Sequence, residues 1–264
     1  MEIFTYDFMI RAFVAGAIIS IISPLIGNFL VLRRLSQIGD TLSHLALAGV
    51  AGSTLIGIDP TIGTVVFVLA SSLGIERLRR AYARYSEISM AVATFGGMAL
   101  AAILFSLSQG SAINIMGFLF GSLVSVTLND IIIISALGII VVALIFLLFK
   151  ELLFITFDED AAAISGIPIN AINTMFTAMV AVTIALSMRI VGALLVSALM
   201  VIPAATALRI AKNFKQTVAY SVMFSVVSVF SGIFLSYYLD LSPGGTIIAI
   251  SIIIMLAVNI IKRR

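Results

Sequence analysis

Apolar runs long enough to cross a bilayer follow one another along almost the whole chain. They fall at about 8–32, 41–58, 60–76, 88–107, 129–149, 170–188, 190–209, 217–239 and 243–261, and ~17–25 helical residues suffice for a hydrocarbon core of about 30 Å. The pattern predicts an all-α polytopic membrane protein of eight or nine transmembrane helices, because the short pair 41–58 and 60–76 can be counted in two ways. The stretch from Ile115 to Thr127 is apolar, rich in Gly and Ser, and too short to span. It predicts a re-entrant or outer-surface helix. With no internal repeat and no low-complexity linker, residues 1–264 read as a single transmembrane domain.

Charge sharpens this picture. Basic residues follow alternate spans: Arg33 and Arg34; Arg77, Arg79, Arg80 and Arg84; Lys150; Arg209, Lys212 and Lys215; Lys262, Arg263 and Arg264. Nine spans put all of these on one side, as the positive-inside rule expects of a cytoplasmic face, with the N-terminus outside and the C-terminus inside. Eight spans would flip one end. Arg11 and Arg189 are the exceptions, and each is expected to snorkel or to pair internally. Hydrophobic residues make up 62% of the chain and charged ones 10%, with a mean hydropathy of +1.25; soluble domains carry about 25% charged residues. The net charge of +3 lies in short loops, which sets orientation and gives no nucleic-acid footprint. The segment Met1–Asp7 lacks a basic leader, so no cleaved signal peptide is expected.

Three stretches carry candidate chemistry. Asp40 and His44, the only histidine, are spaced i and i+4, which places both on one helix face. Such a pair can grip a divalent cation, or can be a cap and a satisfied polar pair. In Asp158-Glu159-Asp160-Ala161-Ala162-Ala163-Ile164-Ser165-Gly166, acids open a short helix and Gly166 with Pro168 closes it. That helix reads either as a docking element for a soluble partner or as a structured connector. In Met188–Ala207, the small residues Gly192 and Ser197 allow close helix approach and Pro203 predicts a kink. This helix either lines a pathway or packs at the centre. Cysteine is absent, which removes thiolate sites, disulfides and a cysteine nucleophile. No phosphate loop, zinc-protease motif or serine-hydrolase elbow occurs, so ATP binding of the P-loop kind and these hydrolytic chemistries are excluded.

The stretch Val31–His44 resembles the R-R-x-S-x-x-G-D-x-x-x-H signature of zinc/manganese/iron ABC-importer permeases. Leu119–Thr127, Val191–Ala207 and Asp240–Gly245 resemble further blocks of that family in its order, so the likeness covers nearly the whole chain. The resemblance implies a homodimeric permease, similar in architecture to vitamin B12-type importers and resident in a bacterial or archaeal cytoplasmic membrane. It implies a separate P-loop ATPase dimer docking on a coupling helix at about 158–165, and an extracellular or periplasmic metal-binding protein delivering the ion. It implies no enzymatic activity of the chain itself and no permanently bound cofactor. Asp40 and His44 would be the metal pair, with Zn²⁺ as cargo on a slightly closer match to the zinc branch and Mn²⁺ or Fe²⁺ as the alternatives.

Overall fold

A computed structural model describes residues 6–82, 85–107 and 115–262; Arg84, Arg263, Arg264 and the first five residues lie outside them. The described residues form twelve α-helices and no strand: α1 (Asp7–Leu32), α2 (Ser36–Leu55), α3 (Pro60–Ala81), α4 (Ser86–Leu107), α5 (Ile115–Phe120), α6 (Leu128–Leu147), α7 (Phe149–Phe157), α8 (Glu159–Ile164), α9 (Ile169–Val191), α10 (Val196–Ile210), α11 (Phe214–Leu239) and α12 (Pro243–Lys262). Seven of these, α1, α3, α4, α6, α9, α11 and α12, are long and apolar enough to cross a membrane.

Side chains show which helix ends lie together. At one end, Arg33 after α1 donates to Asn173 Oδ1 on α9 at 2.6 Å, and Arg80 on α3 donates to Asn170 O and Thr174 Oγ1 at 2.8 and 2.6 Å. Phe29, Phe149 and Phe214 stack there, bringing in the end of α1, α7 and the start of α11. We call this the basic end. At the far end, Arg189 on α9 meets Thr61 on α3 and Asp130 on α6. The short connections between these anchors make α2 and α10 cross the bundle as well, which gives nine passes among the described residues.

α2 escapes a hydropathy criterion for a physical reason. Almost all of its surface beyond Asp40 is covered by protein rather than lipid, so Ala, Gly, Ser and Thr serve there as well as Leu. Gly49 lies against Thr64 and Phe67 of α3, and Gly97 of α4 lies against Leu45. Small residues let these backbones close up. Thr41 Oγ1 adds a 2.7 Å hydrogen bond to Thr94 Oγ1 on α4. α1 and α9 are mostly buried, whereas α4, α6 and α12 turn most of their surface outward.

Several expected boundaries shift. α2 begins at Ser36 rather than at 41, so Asp40 belongs to its second turn. The segment after α6 continues as α7, a helix that Lys150 and Glu151 hid from a search for apolar runs. Only the first part of Ile115–Thr127 is helical. The end of α5 and the residues after it pair with the end of α9 and the break before α10: Ala193 N–H donates to Phe118 O, Leu194 N–H to Leu119 O and Ser122 N–H to Arg189 O, at 2.8–3.3 Å. Non-helical backbone at membrane depth must be satisfied within the protein, and this pairing does so.

Candidate metal-transfer site

The turn into α2 is built from backbone hydrogen bonds. Leu35 N–H donates to Leu30 O at 2.8 Å and Arg34 N–H to Val31 O at 3.1 Å, the pattern that closes a helix through a left-handed residue. That residue is Arg34, at φ +56°, where glycine is the usual occupant. Arg33 turns back under the bundle, with its guanidinium 5.5 Å from the Phe176 ring centroid and hydrogen-bonded to Asn173. Its Nη1 is buried without a partner. Burial, and next the neighbouring Arg79 charge, hold its pKa below the ordinary arginine value. α1 thus runs to Leu32, where the apolar run ends, and Arg33 anchors to the bundle.

At 1.5 Å per residue, Asp40 and His44 lie about 6 and 12 Å along α2 from its first residue. His44 Nε2 is 3.8 Å from Asp40 Oδ1; the His44 side chain is 14% exposed and that of Asp40 57%. The separation exceeds hydrogen-bond length, so both groups keep free lone pairs on the same face. Among the described residues no third His, Asp or Glu joins them. Asp40 borders a cavity of about 200 Å³ together with Glu87 and Met90 of α4.

The pathway candidates on α9–α10 separate. Ser197 packs against the turn carrying Asp40, 3.6 Å from where a Cβ on Gly39 would stand. Pro203 is buried inside α10, away from any surface. Gly192 is not on a helix face at all: it caps α9 at φ +86°, and a Cβ there would overlap the Leu119–Phe120 backbone. Its task is the close crossing of two chain segments.

The acidic stretch forms α8. Asp158 Oδ1 accepts from Ala161 N–H at 2.8 Å, an N-cap. The helix closes with Ile167 N–H on Ala162 O and Gly166 at φ +81°. Ala162 faces inward, while Asp158, Glu159, Asp160, Ala163, Ile164, Ser165 and Gly166 are exposed and Ala161 is half-buried. Ile164 is 88% and Phe157 68% exposed, an apolar and acidic surface at the basic end. A cavity of about 250 Å³ separates this corner from Arg33, Arg34 and Arg79, with Glu159 on its rim.

Sequence reading expected Arg189 to snorkel or to pair internally but named no partner for it; the structure supplies the partners at the far end. Arg189 Nε lies 3.3 Å from Asp130 Oδ1 and 3.0 Å from Thr61 Oγ1, and Thr61 Oγ1 donates to Asp130 Oδ1 at 2.6 Å. Thr127 donates from both N–H and Oγ1 to Asp130 Oδ2. Thr127 and Asp130 form a capping box at the start of α6.

This architecture has known counterparts. The sequence profile of the ABC 3 transport family matches residues 5–262. The chain belongs to that family. It is 35% identical, over 253 residues covering 96% of it and 95% of the relative, to a probable metal transport system membrane protein of Treponema pallidum. It is 30% identical over 246 residues, 93% of it and 94% of the relative, to the high-affinity zinc uptake system membrane protein ZnuB of Haemophilus influenzae. Among solved structures, PsaBC from Streptococcus pneumoniae in complex with Fab superposes with a TM-score of 0.87 at 28% identity, covering 97% of this chain and 92% of that one. As an ABC 3 member, the chain is a multi-pass permease of an ABC transporter.

Proposed function

We propose that this permease carries a divalent transition metal, zinc in the first place, into the cytoplasm as one half of a homodimer powered by a separate P-loop ATPase dimer. The observation that carries the reading is the Asp40–His44 pair, 3.8 Å apart on one face of α2 with unspent lone pairs. One chain supplies one oxygen and one nitrogen ligand; two copies supply the four donors that zinc takes in tetrahedral sites. Imidazole and carboxylate also suit manganese and iron, and without thiolates the site can release its cargo. The zinc uptake name of the Haemophilus relative favours zinc.

The basic end is then cytoplasmic, and the exposed α8 surface meets the ATPase. An extracellular or periplasmic binding protein supplies the ion at the far end. The membrane is the cytoplasmic membrane of a bacterium or archaeon.

The test is growth under zinc starvation of a strain lacking its own high-affinity zinc importer, with the chain co-expressed with its ATPase and binding protein. Wild type should rescue growth, and Asp40→Ala and His44→Ala, present in the membrane at equal level, should not. Rescue only of a manganese-importer mutant would replace the ion. Metal uptake by the purified chain without an ATPase would refute the reading.

A further inference from the structure

Three cavities touch one another between the Asp40 site and the basic surface. The first, about 200 Å³, is bordered by Asp40, Gln37, Glu87 and Met90. The second, about 400 Å³, shares Gln37, Glu87 and Met90 with the first and adds Arg34 and Arg79. The third, about 250 Å³, shares Arg34 and Arg79 with the second and ends at Glu159 beside α8. Shared walls make them one broken passage, and of the three residues common to the first and second, Gln37, Glu87 and Met90, only Glu87 is a carboxylate.

Resting on the importer reading, we propose that these cavities are the cytoplasmic exit route of the ion and that Glu87 is its transfer ligand. An ion leaving Asp40 and His44 loses carboxylate and imidazole donors and must find replacements before it reaches water. Glu87 offers a second carboxylate on the facing helix, in the same cavity as Asp40. The thioether of Met90 and the amide of Gln37 line the same space as weaker donors. Among the described residues Glu87 forms no ion pair, so its charge is not consumed by the protein there. Beyond it the route changes sign. Arg34, which forms no ion pair among the described residues, and Arg79, which is paired with Glu76, flank the step from the second cavity to the third, and a cation passes them only when they move apart.

Arg34 is suited to that movement. It sits in the left-handed turn at φ +56°, a conformation that a non-glycine residue holds at a cost. Its neighbour across the cavity is the α7–α8 corner, which bears the exposed acidic helix. Displacement of that corner therefore acts on the arginine barrier directly, and the barrier lies between the transfer ligand and water.

The permease with its ATPase and binding protein is reconstituted in liposomes, and zinc uptake and ATP hydrolysis are read together. Glu87→Gln should lower zinc moved per ATP about tenfold while hydrolysis stays within about twofold of wild type, and Glu87→Asp should recover most of the loss. Undiminished zinc per ATP in Glu87→Gln would overturn the route while leaving the importer standing. No ATP-dependent zinc uptake by wild type would overturn the importer reading itself. A second measurement uses the absence of cysteine from the chain. Ala91→Cys, in the wall of the first cavity, should react with an impermeant thiol reagent applied from the ATPase side, more slowly when Arg34 and Arg79 are intact than in Arg34→Ala. Equal labelling in both would overturn the barrier.

Discussion

The two ends of the bundle handle charge in opposite ways. At the far end Asp130 and Arg189 are 2% and 13% exposed, and both carboxylate oxygens are satisfied by Thr61, Thr127 and the guanidinium. Arg189 also donates to Ser125 O and lies 5.7 Å from the Phe118 ring centroid. At the basic end Arg33, Arg34 and Arg79 border open cavities with Glu159 as the sole acid among them in the outermost one; Arg79 is paired with Glu76, but Arg34 forms no ion pair among the described residues and Arg33 Nη1 has no acceptor. A paired charge in a low-dielectric setting fixes a geometry, because breaking it strands a buried ion. Unpaired charge around a cavity leaves the geometry open to whatever binds next. The difference teaches where this permease is held and where it is acted upon: sealed at the far end, receptive at the basic one.

The largest effect should therefore come from breaking the sealed end. Asp130→Ala removes the carboxylate that joins α3, α6 and α9 and leaves Arg189 buried. Loss of one partner of such a pair costs about 3–5 kcal/mol, and thermal unfolding of the purified permease in detergent should show the largest fall in Tm of any single change at either end. The equivalent cut at the basic end is Glu76→Ala. Glu76 accepts from Arg79 at 3.0 Å and from Arg80 at 3.3 Å, but those side chains are 19% and 42% exposed and can turn to water. The loss there should be about 1–2 kcal/mol, smaller because the stranded charges are not trapped. Equal Tm shifts for the two variants would erase the asymmetry.

That asymmetry was only half legible in the sequence. Spans such as α6 and α12 announce themselves because lipid surrounds them and every face must be apolar. α2 announces itself less plainly, as a short run at 41–58 that could be counted in two ways with 60–76, because protein surrounds it and its Gly-, Ala- and Ser-rich sequence is selected by close approach to α3 and α4. The Asp40–His44 spacing was visible because an i,i+4 pair is local. The Arg189–Asp130 pair was only partly so, because its partners come from helices far apart in the chain; the sequence showed that Arg189 broke the charge pattern and would snorkel or pair internally, but not with which residue. Glu87 carried no signal, since only folding puts it in Asp40's cavity. Gly192 was misplaced on a helix face because small residues look alike until the backbone crossing at 119–121 is seen.

A smaller effect tests the receptive surface itself. Asp158→Ala deletes the N-cap of α8, where Oδ1 accepts from Ala161 N–H; caps of this kind are worth about 1 kcal/mol. Because α8 is exposed and short, global Tm should barely move. Affinity for the ATPase, measured by titrating the purified subunit onto the permease in nanodiscs, should fall several-fold as the helix frays. A variant that docked with unchanged affinity would remove α8 from the contact.

One change in stability should have the opposite sign. Arg34 at φ +56° pays the side-chain clash of the left-handed region, about 1–2 kcal/mol, and Arg34→Gly relieves it. Glycine gives back about 0.5–1 kcal/mol through the greater freedom of the unfolded chain. The variant should thus be more stable by about 0.5–1 kcal/mol, a rise of a degree or two in Tm. Its transport should not improve with it. Arg34 borders both the second and third cavities, and its loss opens the cationic barrier between Asp40 and the basic surface. ATP hydrolysis should then become less tightly tied to metal uptake. A stabilised variant with unaltered coupling would mean that the turn tolerates arginine without using it, and that the open end of the bundle is shaped by packing alone.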